Sequence, residues 1–85
     1  MNRPEQIRKE ILLQLYASRP LVLSAERITR DARKQGYDYA QNEIARELRF
    51  LVDEGLAVDV QFKGSTSNLY RVSADGIRQY EQNSQ

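Results

Sequence analysis

Neither cysteine nor histidine occurs in this chain of 85 residues. The first absence excludes disulfides and thiolate metal sites. The second removes the commonest general base and the commonest metal ligand. A large excess of one charge is also missing: 13 basic residues face 12 acidic ones, for a net charge of +1. Net charge alone therefore makes no case for nucleic acid, and any electrostatic case has to come from where the charges lie. No apolar run approaches the roughly 20 residues of a membrane span, and the amino-terminal stretch "MNRPEQIRKE" is polar. The expected setting is the cytoplasm, without membrane contact. There is no glycine-rich phosphate loop and no carboxylate cluster at metal-ligand spacing, so neither an enzyme nor a cofactor is expected.

What is present is ordinary for a globular protein, with 40% apolar and 29% charged residues. A chain of this length buries only about two-thirds of the surface its unfolded form exposes, enough for one core. One domain over residues 1–85 is expected, with a frayed tail at about 81–85. No repeat, linker or low-complexity segment interrupts it.

The first helix is expected from about Pro4 to Ser18. Pro4 suits a first turn, where its missing N–H would be unpaired anyway, and Glu5 favours the positive end of the helix dipole. Ile7, Ile11, Leu12 and Leu15 fall on one face, and Arg19-Pro20 ends the run. "LVL" at 21–23 is too short for a helix and reads as a connector or short strand. Ser24 is a good N-cap for a second helix, which runs to about Gln35 with Gly36 as a left-handed stop. Its apolar stripe, Ala25, Ile28 and Ala32, is thin. The third helix has two possible starts. Either Asp38 caps it with Gln41 reaching back, or Ala40 caps it with Glu43 at the third position and Tyr39 stapled to Ile44. The second start is preferred, because it places Ile44, Leu48, Leu51 and Val52 on one stripe. Gly55 ends this helix.

After Gly55 the apolar period changes to two. Val58, Val60 and Phe62 alternate with Asp59 and Gln61 as in a half-buried strand, and Phe50 is expected to pack on Val58 or Phe62. "KGSTSN" at 63–68 is a polar turn, and "LYRVS" is a second strand with Tyr70 and Val72 on one face. Ser73 then caps a short last helix carrying Ile77 and Tyr80.

The fold class is therefore α+β, mainly α: a three-helix core, a β-hairpin and a short C-terminal helix. The stretch "IARELRFLVDEGLAV" (44–58) resembles the third helix and its exit in the winged helix-turn-helix superfamily. "YRVSADGIRQYE" (70–81) resembles the second wing strand and closing helix of MarR-like and PadR-like bacterial and phage regulators. The resemblance covers nearly the whole chain and places no subfamily. It implies a third helix whose free face enters the major groove of DNA, and a hairpin wing that touches the backbone or minor groove.

Projecting the third helix with its stripe inward puts Asn42, Arg46 and Asp53 outward, with Glu43, Arg49 and Phe50 on the flanks. Arg46 and Arg49 suit guanine edges, and Asn42 suits adenine or a phosphate. The competing interpretation is a solvated face with Glu43 paired to Arg46 and Glu47 near Arg49. Four acids against two bases between 41 and 54 weigh on that side. Arg27, Arg30 and Lys34 share a face of the second helix, with Arg33 beside them, and suit phosphates. Dipole complementation accounts for Arg33 and Lys34 but not for Arg27. Lys63 and Ser65 in the hairpin tip suit sugar-phosphate contact, although a plain polar loop would look the same. Tyr39, Tyr70 and Tyr80 are expected in the core, with Tyr16 and Tyr37 undecided.

Two functional expectations follow. The first is a small DNA-binding protein, a transcriptional regulator, that grips duplex DNA as a homodimer because one module buries little DNA surface. The alternative is a protein-interaction module, an adaptor or assembly domain of phage or mobile-element kind. Leu13 and Tyr16, off the main stripe of the first helix, and Ile77 and Tyr80 of the last offer apolar surface for pairing.

Overall fold

The computed structural model describes residues 1–61, 63, 64 and 68–83. Helix α1 (Arg3–Ala17) begins where Asn2 Oδ1 accepts the Glu5 N–H at 2.9 Å, with Pro4 in the first turn. Strand β1 (Leu23–Ser24) follows the Arg19-Pro20 break, so "LVL" is a connector whose last residue opens a short strand. Helix α2 (Ala25–Lys34) starts with Ser24 Oγ accepting the Arg27 N–H at 3.1 Å, a cap that contributes about 1 kcal/mol.

Gly36, at φ +95°, closes α2 in the conformation that disfavours side chains. Its N–H reaches Arg33 O at 3.0 Å and the Tyr37 N–H reaches Ala32 O at 3.0 Å, the paired bonds of a Schellman stop. Helix α3 (Gln41–Asp53) takes the second of the two predicted starts. Ala40 is the cap residue, and Glu43 Oε1 accepts the Ala40 N–H at 3.0 Å, while Tyr39 is buried beside it. Alanine offers no side-chain oxygen, so only the glutamate half of the box operates. Gly55 ends α3 as Gly36 ends α2, with Gly55 N–H on Val52 O and Leu56 N–H on Leu51 O.

Strands β2 (Ala57–Val60) and β3 (Leu69–Val72) follow, and α4 (Ala74–Asn83) closes the chain. The three strands form an antiparallel sheet in the order β1-β3-β2, with Leu23 opposite Tyr70 and Ala57 opposite Val72. The expected α+β, mainly helical class holds, with β1 adding a third strand to the hairpin. One cluster joins the elements: Ile7, Ile11 and Leu15 of α1, Ile28 of α2, and Ile44, Leu48 and Leu51 of α3 are wholly buried. Each contributes roughly 1.5–3 kcal/mol relative to exposure. Tyr39 and Tyr70 lie in this core as expected, and Ile77 and Tyr80 of α4 pack against it.

Two expectations need correction. In β2 the buried residue is Ala57, while Val58 and Val60 are half-buried on the other face. The reason is the partner strand. Tyr70 and Val72 of the central strand are turned inward, and antiparallel pairing sets Asp59 and Ala57 opposite them. Phe50 is 43% exposed rather than packed under the hairpin, and the Arg8 guanidinium lies 4.2 Å from its ring centroid. The Phe62 part of both expectations lies outside the described residues. The tail is helical as far as Asn83, with the Tyr16 hydroxyl donating to Glu81 at 2.8 Å and the Tyr16 and Tyr80 rings stacked at 4.3 Å.

Ser73 holds the α4 junction together. Its Oγ accepts the Gly76 N–H at 2.9 Å and donates to Gly55 O at 2.6 Å, tying the last helix to the α3 exit. No helix among the described residues is long and apolar enough to cross a membrane.

Candidate nucleic-acid interface

Helix α3 buries Ile44, Glu47, Leu48 and Leu51 and leaves Asn42, Arg46, Arg49 and Asp53 exposed, as the projection expects. The pairing across that face is not the expected one. Arg46 Nε donates to Glu47 Oε2 at 3.1 Å, and the other oxygen of Glu47 accepts from Arg8 Nη1 of α1 at 2.8 Å. The Glu47 side chain is 5% exposed whereas that of Arg46 is 65% exposed. A buried carboxylate thus anchors one arginine from beneath and one at the surface.

Arg49 pairs instead with Asp53 at 3.7 Å, both well exposed. Such a pair contributes at most about 1 kcal/mol and separates readily when a phosphate competes. Glu43 is engaged elsewhere, by Arg3 of α1 through two hydrogen bonds of 2.7 and 3.0 Å. This bidentate contact with Arg3, helped by the Ala40 N–H, pulls the Glu43 carboxyl from its ordinary 4.5 down to about 2, against a smaller opposing effect of burial. The Arg3 guanidinium moves up correspondingly. Arg3 also lies 5.1 Å from the centre of the Tyr39 ring, where burial raises the phenol. The Tyr16 phenol is raised as well, chiefly by its bond to Glu81.

Helix α2 packs directly on α3. Its cations divide by partner. Arg27 and Lys34 flank Asp31 at 3.6 and 3.9 Å, and with Leu13, Gln14 and Ala17 they border a shallow groove between α1 and α2. Arg30 and Arg33 are exposed and form no ion pair among the described residues. The four basic residues expected to act together are therefore two half-neutralised cations and two free ones. In the turn after β2, Lys63 is exposed and Gly64 has φ +85°. Ser65 lies outside the described residues.

Glu47 and Arg8 are the candidate site residues that local spacing does not reveal. Helical spacing finds partners three or four positions away, and these two are 39 apart in sequence. One signal was available: Glu47 interrupts the apolar stripe between Ile44 and Leu48, where a buried charge requires a partner. Among the described residues no group of three or more acidic side chains is arranged to hold a metal ion. No family model, no curated protein and no solved structure significantly matches the chain.

Proposed function

We propose that the chain is a winged helix-turn-helix module that binds duplex DNA as a homodimer and acts in transcriptional regulation. In this reading α3 enters the major groove, Arg46 and Asn42 face base edges, and α2 and the β2–β3 hairpin grip the backbone. The observation that carries it is the division of α3. Its inward side is consumed by the core, while Asn42, Arg46 and Arg49 project from a helix tied at both ends, by Arg3 to Glu43 and by Ser73 to Gly55. The sheet order β1-β3-β2, which sets the hairpin beside the exit of α3, supports the same reading. Titrating mixed-sequence duplex DNA at two salt concentrations tests it: binding should weaken steeply with salt. Absence of salt-sensitive binding at low ionic strength would reject it.

A second reading is favoured by a separate observation. Both arginines on the outer face of α3 have acidic partners, and Leu13, Leu21, Tyr37 and Phe50 are exposed apolar or aromatic side chains. A protein-interaction module of adaptor or assembly type would use such a surface. It takes precedence if DNA binding fails.

A further inference from the structure

We propose that Glu47 is the positioning residue of the interface: held by Arg8, it aligns Arg46 as a fork for a guanine. The inference rests on the DNA-binding reading above and adds the element that would give it sequence preference.

A carboxylate 95% removed from solvent is expensive unless it is paired and hydrogen-bonded. Glu47 meets that demand with two arginines, one bond to each oxygen. The Arg8 side is the rigid one. Arg8 rises from α1, its side chain is only 24% exposed, and its guanidinium lies 4.2 Å from the centre of the Phe50 ring. An exposed aromatic on α3 thereby acquires a role, that of lid over the Arg8–Glu47 bond.

The Arg46 side is the open one. Its Nε is taken by Glu47, and neither Nη1 nor Nη2 bonds any described residue. Two parallel N–H groups remain at the end of a planar group whose rotation is restricted by the bond at its neck. That is the donor arrangement which matches the O6 and N7 acceptors of guanine in the major groove. An unrestrained arginine would have to lose side-chain freedom on binding, and ordering it beforehand reduces that loss. Arg49 has no comparable support, since its only partner among the described residues is the exposed Asp53. Arg46 is accordingly the discriminating residue, and Arg49 contributes charge.

Two measurements test this. In the unmodified protein, arginine-detected NMR should show the Nε–H of Arg46 protected from solvent exchange relative to those of Arg30 and Arg33. Equal exchange at all three would overturn the inference without any variant. In the second, duplexes randomised in sequence are selected with the wild type and with Arg46→Ala, Glu47→Gln and the double variant Arg8→Met with Glu47→Gln, which leaves no buried charge unpaired. The wild type should enrich a guanine whose preference Arg46→Ala abolishes. Both Glu47 variants should reduce that preference about tenfold while nonspecific affinity changes little. Glu47 variants that fold and keep the full preference would overturn the inference and leave the DNA reading standing. If the wild type shows no binding to any duplex, the DNA reading itself fails, and the inference with it.

Discussion

Arg3 and Glu43 make a prediction about pH. A carboxyl whose folded-state pKa is depressed contributes stability that is fully present above its unfolded value and is lost as pH falls through the folded one. For Glu43 the window runs from the ordinary 4.5 down to about 2. Replacing it with Gln removes the charge but keeps an oxygen for the Ala40 N–H, so Glu43→Gln isolates the ion pair. Thermal melts should place the variant below the wild type above pH 5, with the gap closing as pH falls toward 2. A gap that stayed constant across that range would show that the Arg3 contact adds nothing in solution. The same pair shows where local spacing stops being informative. Glu43 lies three residues before Arg46, yet its partner is 40 residues away on α1. Spacing along one helix cannot register a competitor from another helix, and a bidentate arginine outweighs a single-turn neighbour.

At the scale of elements, Gly76 in α4 sets two effects against each other. Helix propensity alone says Gly→Ala in a helix gains about 1 kcal/mol. A Cβ at 76, however, would overlap the Leu56 carbonyl oxygen and sit 2.7 Å from Val72 Cγ2. Overpacking of this kind costs roughly 1–3 kcal/mol, and the Leu56 side of the clash is backbone, which yields little. Gly76→Ala should therefore destabilise, read as a lower urea midpoint with unchanged slope; a raised midpoint would mean that α4 does not dock so closely. Leu48→Asp tests α3 in the same way. It would bury an unpaired charge at the centre of the stripe and should abolish cooperative unfolding, set against the roughly 5–10 kcal/mol typical of a small domain. The elements themselves were legible because their ends carry chemistry: Ser24 at one start, Gly36 and Gly55 at two stops. The inward face of β2 was not. The alternation of Val58 and Val60 pointed one way, but pairing with Tyr70 and Val72 decided it, and cross-strand partners are invisible to a period of two within one strand. At the candidate interface the exposed residues of α3 were legible from the stripe, whereas the anchoring of Arg46 was not.

For the whole molecule, the question is how a nearly neutral chain could hold a polyanion. The apolar surface bears first on stoichiometry. Tyr16 and Tyr80 satisfy each other, leaving Leu13 as the exposed apolar residue of α1 within its helical span. Sedimentation at micromolar concentration should give a dimer that Leu13→Asp dissociates; a monomer with and without DNA would remove the dimer from the proposal. The charges bear on affinity. Removing one cation that neutralises a phosphate should flatten the salt dependence by about 0.9 in log–log slope. Because Arg30 and Arg33 form no ion pair among the described residues, the double variant Arg30→Ala with Arg33→Ala should flatten it by up to about 1.8 and weaken binding to every sequence alike. Arg27 and Lys34 share Asp31, so replacing both should flatten the slope by less, because part of their charge is already neutralised. Arg46→Ala should instead lose about 1–3 kcal/mol of discrimination at one base, with little change in slope. Equal slopes from both pairs on α2 would mean that the Asp31 ion pairs break on binding. A slope unaffected by either would place the DNA backbone away from α2 altogether.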